Sequence, residues 1–185
     1  QELHPIIRTA VQCNFDAIIN IGCTDGYYAV GMARSMPTID VYAFDLDELA
    51  REHCQALVEC NGVTDRVHIG ESISPGGFDI YRDQRILVIC NGKGRDVVTL
   101  DPIKAQALLG FDLIVEMNSS RTETINNLTT RFSATHQVDV IPPGVRIPES
   151  FPELSSLSLL DKILAVHERF ELTPWVSLRA LPRSS

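Results

Sequence analysis

The run from Ala17 to Asp47, AIINIGCTDGYYAVGMARSMPTIDVYAFDLD, restricts the fold more than any other stretch of the chain. Ala17 to Ile21 reads as a short buried strand, and Gly22-Cys23-Thr24-Asp25-Gly26 as a tight turn after it. A helix is expected from there to Met36, where Pro37 helps to stop it. Val41 to Phe44 is a second strand, ending at Asp45. The glycines can be read as backbone geometry alone, since a strand-to-helix turn needs residues that tolerate unusual φ. They can also be read as a place where a ligand approaches the backbone. The acid at the end of the next strand favours the second reading, because a carboxylate there can accept both ribose hydroxyls of an adenine nucleoside.

The rest of the chain repeats the alternation. An amphipathic helix over residues 2–12 precedes the first strand, with Leu3, Ile6, Ile7, Ala10 and Val11 at helical spacing. Asp47 is the expected N-cap of a helix that runs to Cys60 and ends at Asn61-Gly62. Val67 to Ile69 is a third strand, Ser74 to Gly77 a loop, and Arg85 to Cys90 a fourth strand. That fourth strand is apolar after its first residue, as expected of a central strand buried on both faces. Then come a helix at 102–109, a strand at 112–116, a helix at 122–132, a strand at 138–141, a helix at 154–170 and a strand at 176–180. Strands alternating with helices imply one α/β domain spanning residues 1–185, with a mostly parallel sheet covered on both faces.

Length and composition agree with one domain. The 185 residues are 44% hydrophobic and 22% charged, within the range of globular proteins. The formal net charge of −8 argues against a nucleic-acid partner, which needs clustered Lys and Arg. No apolar run is long enough to span a bilayer, so no membrane partner is expected. No charged-then-apolar leader opens the sequence. The five cysteines, Cys13, Cys23, Cys54, Cys60 and Cys90, are odd in number and form no C-x-x-C pair, so packing in a reducing cytoplasm is expected. The five histidines share no metal-ligand spacing, and no metal site is expected.

The turn itself discriminates between nucleoside cofactors. A nicotinamide site expects G-x-G-x-x-G, whereas here Thr24 stands where the second glycine would be. Asp25 adds a carboxylate near a helix N-terminus, where it would repel a pyrophosphate. A cofactor with a sulfonium and an amino-acid tail tolerates that acid better. S-adenosylmethionine is therefore favoured over NAD.

With these residues in view, the chain resembles the class I S-adenosylmethionine-dependent methyltransferases along nearly its whole length. Their first motif, an acid followed by x-G-x-G-x-G, corresponds to Asn20-Ile21-Gly22-Cys23-Thr24-Asp25-Gly26. The resemblance implies a Rossmann-like three-layer α/β sandwich, with a seven-stranded sheet ordered 3-2-1-4-5-7-6 and strand 7 antiparallel. It implies that the turn wraps the methionine moiety, that Asp45 holds the ribose, that Leu46 flanks the adenine and that Glu71 and Ser72 lie near its edge. Within the fold, the later segments partly resemble the FkbM-like branch. Its D-x-E-G after strand 4 corresponds to Asn91-Gly92-Lys93-Gly94, and its L-V-E-x-H-D to Ile114-Val115-Glu116-Met117-Asn118-Ser119.

Asn91 and Glu116 are the side chains expected to line the transfer site, with Asn91 also counted among the cofactor contacts. Asn91 takes no proton at neutral pH, although its amide oxygen accepts a hydrogen bond. The functional expectation is methyl transfer to a small-molecule acceptor. Little chain is left beyond the core to build a substrate domain, so a shallow site, or one completed by a partner chain such as a second copy in a homo-oligomer, is expected. The loss of family side chains at Asn91, Lys93 and Asn118 keeps a second expectation open: a protein that binds S-adenosylmethionine without turnover, as a sensor or an assembly subunit. A nicotinamide-dependent oxidoreductase is the third.

Overall fold

The structure, a computed structural model, describes residues 2–91, 99–117, 122–144, 147–166 and 173–182. Seven strands form one sheet: β1 (Ala17–Ile21), β2 (Asp40–Phe44), β3 (Val67–Gly70), β4 (Ile86–Cys90), β5 (Asp112–Glu116), β6 (His136–Ile141) and β7 (Trp175–Ala180). Their order is β3-β2-β1-β4-β5-β7-β6, with β7 antiparallel to both neighbours. This is the arrangement that the resemblance implied. Every residue of β1 and of β4 is buried, which is why these two apolar strands take the middle of the sheet.

The α-helices are α1 (His4–Val11), α2 (Tyr27–Ser35), α3 (Glu48–Cys60), α4 (Thr122–Phe132) and α5 (Leu159–Val166). The Asp47 side chain caps α3 by accepting from the Leu49 N–H, and Gly62 follows its end at φ +64°. The sheet separates two hydrophobic layers. One contains Ile18, Ala29, Met32, Val41, Val58 and Leu87; the other contains Ile19, Phe78, Val88, Phe111, Val115 and Phe132. Burying one side chain of this size stabilises the fold by about 1.5–3 kcal/mol.

Three segments differ from the sequence expectation, each for a local reason. The loop at Ser74–Gly77 is the start of a 3-10 helix, Pro75–Tyr81. Ser74 Oγ accepts from the Gly77 N–H, Pro75 fits the first turn, and Phe78 and Tyr81, three apart, bury the same face. The helix expected at 102–109 shrinks to a 3-10 turn at Gln106–Gly110, because Asp101 caps a separate turn at Ile103 and Ala105 leaves helical geometry. The long helix expected from residue 154 begins at Leu159, where Ser158 and Asp161 bond each other reciprocally as a cap. Two 3-10 turns, Pro148–Ser150 and Pro152–Leu154, use up the chain before it.

His136 ties β6 to the layer beneath. Its Nε2 lies 2.8 Å from the Phe111 carbonyl oxygen and its Nδ1 2.9 Å from Thr135 Oγ1. Burial pushes its pKa below the ordinary 6.5, despite the opposing pull of the Phe111 carbonyl and Asp112. The unfolded chain therefore takes a proton here before the folded chain does. The contribution is fully present above pH of about 6.5 and declines as pH falls toward the folded pKa. The urea midpoint is expected to fall between about pH 7.5 and 5.5. His136→Gln should flatten part of that slope; an unaltered slope in a folded variant would remove His136 as its source.

Candidate functional site

The carboxyl ends of β1, β2 and β4 meet at one edge of the sheet, where crevices of doubly wound sheets bind ligands. The glycine turn leaves β1 there. Gly22 and Cys23 both donate their N–H to the Phe44 carbonyl, at 2.8 and 3.0 Å, so the turn is laced to the end of β2. Gly22, Thr24 and Gly26 all adopt positive φ, of +71°, +49° and +89°. Thr24, as a β-branched residue in that region, is strained and needs external support.

Asp45 supplies it. Its Oδ2 accepts from the Thr24 N–H at 2.9 Å, and its Oδ1 accepts from the Asp47 N–H at 3.0 Å. One carboxylate thus fixes the glycine turn and the entry to α3. Its own N–H donates to the Gly70 carbonyl, joining the site to β3. Leu46 is 66% exposed, and Glu71 and Ser72, just beyond β3, are exposed as well. These three sit on the rim, beside the Asp45 clasp. Asp25 is exposed and accepts from the Tyr27 N–H at the start of α2, so its charge lies at that helix N-terminus.

Below the turn, Asn20 is fully buried in β1. Its Nδ2 donates to the Ile89 carbonyl at 3.1 Å and to Asn91 Oδ1 at 2.9 Å. Both amide protons are therefore committed, and the buried Asn20 Oδ1 has no hydrogen-bond partner among the described residues. Leaving an acceptor unpaired in the interior costs about 1–3 kcal/mol. Asn91 is 5% exposed, and its N–H donates to the Ile21 carbonyl.

Glu116 ends β5 one strand over. Cys90 pairs with Val115, so Asn91 and Glu116 leave the sheet side by side. Glu116 is 7% exposed, and its Oε1 accepts from Thr173 Oγ1 at 2.8 Å. Nothing in the sequence pointed to Thr173, which meets Glu116 only because β7 inserts beside β5. Lys93, Asn118 and Ser119 lie outside the described residues.

A second unforeseen contact lies under the turn. Cys23 and Cys54, both buried, are neighbours in the hydrophobic layer beneath the turn. The Cys54 thiol beside it, burial and the nearby Asp45 push the Cys23 thiol upward, so it stays protonated. Tyr28 packs edge-on against Trp175 at 5.8 Å, an anchor between α2 and β7, whereas Tyr27 is exposed.

No family model and no curated protein matches the sequence. Solved structures do match. An rRNA methylase from Streptococcus thermophilus aligns with a TM-score of 0.66 at 14% identity, covering 98% of this chain and 98% of that one. A precorrin-6y C5,15-methyltransferase from Geobacter metallireducens gives 0.64 at 14% identity, over 98% of this chain and 88% of the other. A SAM-dependent O-methyltransferase from Thermotoga maritima gives 0.58 at 14% identity, over 98% and 66%. The chain has the class I methyltransferase fold. The likenesses do not reach the FkbM-like branch, whose distinguishing positions fall largely in the segments after β4 and β5 that are not described.

One expectation is corrected here. The net charge of −8 had argued against a nucleic-acid partner, yet an rRNA methylase shares this fold end to end. Net charge is a sum over the whole surface, while an RNA contact needs only a local patch. It is no ground for excluding a macromolecular acceptor in this fold.

Gly26 tests the packing of the turn. A Cβ placed there would meet Cys54 Sγ at 2.9 Å, at a φ that L-residues rarely adopt. Gly26→Ala is expected to destabilise the protein by at least about 1–2 kcal/mol from backbone strain alone. Adding Cys54→Ala should relieve the contact, giving a favourable coupling of at least about 0.5 kcal/mol in denaturant unfolding. Strict additivity would mean that the thiol does not press on the turn.

Proposed function

We propose that this protein is an S-adenosylmethionine-dependent methyltransferase. The observation that carries the reading is the unpaired, buried amide oxygen of Asn20 beneath a left-handed glycine turn clasped by Asp45. An ammonium group donates hydrogen bonds and accepts none, so the methionine end of this cofactor suits that oxygen. Each Asp45 oxygen holds one backbone N–H and, as a carboxylate oxygen, has capacity for a second donor, which suits ribose hydroxyls. Asp25 at the start of α2 disfavours a pyrophosphate and tolerates a sulfonium.

Bound at this edge, S-adenosylmethionine would supply an electrophilic methyl group on a sulfonium. The chain's part is chiefly positioning. Asn20 and Asp45 would hold the two ends of the cofactor. Glu116, with Oε1 fixed by Thr173, would take the proton that an acceptor hydroxyl or amine gives up. Asn91, committed through Oδ1 to Asn20, would shape the floor between them.

The same amide pair supports the second reading, binding without turnover. Neither Asn20 nor Asn91 can accept a proton at neutral pH, so no base stands on β1 or β4. The two readings part on one assay. Calorimetry should show S-adenosylmethionine binding and no NADH binding; the reverse result would overturn both. Asp45→Asn should weaken binding by about 1.5–3 kcal/mol, roughly 10–100-fold. Unchanged affinity in a folded variant would take Asp45 out of the site. Formation of S-adenosylhomocysteine over a panel holding both hydroxylated or aminated small molecules and structured RNA then tests turnover. No product from protein that binds the cofactor would favour the binding-only reading.

A further inference from the structure

The opposite end of the sheet carries a feature that methyl transfer does not use. A cavity of about 230 Å3 lies between α1 and the face formed by β4, β5, β7 and β6. That volume is far more than the roughly 10–15 Å3 a single water requires. Pro5, Ile6, Thr9 and Ala10 of α1 form one wall. The sheet pairing explains the other: Ile114 pairs with Ser177, and Ser177 with Asp139, so these three stand in a row. Asp112 and Arg179, two residues along their strands, share the same face and complete the lining there. Asp112 lies at the amino end of β5, so this site is at the far end of the strands from Asn20, Asp45 and Asn91.

Three polar observations converge on it. Ser177 is 5% exposed, lines the cavity, and its hydroxyl bonds no described residue. Asp112 Oδ1 accepts from the Ala180 N–H at 2.8 Å, which fixes the carboxylate at the wall. Asp139 Oδ2 lies 3.4 Å from Arg179 Nη2, so the one cation of the lining is already paired. Two carboxylates against one guanidinium leave the lining net negative, above an apolar interior.

The geometry points to a second binding site, which takes a small primary ammonium compound with a compact apolar body. The body replaces water against Ile6, Ala10 and Ile114. The head, with three donors and no acceptor, matches the Ser177 oxygen and the carboxylates of Asp112 and Asp139. A carboxylate ligand would face two like charges. A pure hydrocarbon would leave the Ser177 hydroxyl buried without a partner, which disfavours it.

The test is an amide chemical-shift titration of the full chain with 2-phenylethylammonium, 2-phenylethanol and 3-phenylpropionate. The ammonium should give saturable shifts at Thr9, Ala10, Ser177 and Arg179, with an affinity about ten-fold or more above that of the other two. Asp139→Asn, which breaks only an exposed ion pair, should weaken it, and Thr9→Trp, on the exposed mouth, should block it. Saturating S-adenosylmethionine should not displace it. No saturable shifts at these amides, equal affinity for all three probes, binding that survives Thr9→Trp, or displacement by S-adenosylmethionine would each overturn the assignment.

Discussion

Two backbone N–H groups converge on the carboxylate of Asp45, and the working edge of the molecule depends on that convergence. The turn after β1 contains three residues at positive φ, one of them the β-branched Thr24. Such a turn does not hold itself. Asp45 fixes it from β2, while the Phe44 carbonyl takes two of its N–H groups. Because the same carboxylate also fixes the first residues before α3, the turn, β2 and α3 form one rigid corner. A side chain that sequence reasoning assigns to a ligand is therefore a structural member, since each of its oxygens already holds a backbone N–H.

The interior beneath that corner is built to a different rule. β1 and β4 are buried along their whole length, so any polar atom there must find a partner inside the protein. Asn20 breaks the apolar pattern and pairs with Asn91 and the Ile89 carbonyl, which settles which way its amide faces. The orphaned oxygen is a direct result of that orientation. Where a carboxylate would have brought a charge into this layer, two amides bring a neutral, directional contact. The one carboxylate of this group of side chains, Glu116, stands on the neighbouring strand, held by Thr173.

Much of this was legible in the residues themselves. The unit from Ala17 to Asp45 appears in the structure nearly residue for residue, because its signals are local: an apolar run, positive-φ glycines, a proline stop and a cap. The same holds for Asp47 capping α3 and for β4 as a central strand. The segments that went differently, at 75–81, 106–110 and 148–159, are those where proline, serine and aspartate caps compete over a few residues. There, burial of Phe78, Tyr81 and Leu108 rather than helical spacing selects the geometry. Charge bookkeeping misled about the partner, since a sum over 185 residues carries no position.

By itself, the sequence determined the alternation of strands and helices, the glycine turn and the acid at the end of β2. Those features follow from neighbours within a few residues, through φ preference, side-chain periodicity and capping. Only the tertiary structure decided that Thr173 reaches Glu116, that Cys23 meets Cys54, and that Asn20 turns its oxygen away from Asn91. It alone decided that α1 leaves a cavity over Ser177. These contacts join residues far apart in the chain, and they arise from strand order, from the antiparallel insertion of β7 and from which faces the helices cover. No local preference encodes them.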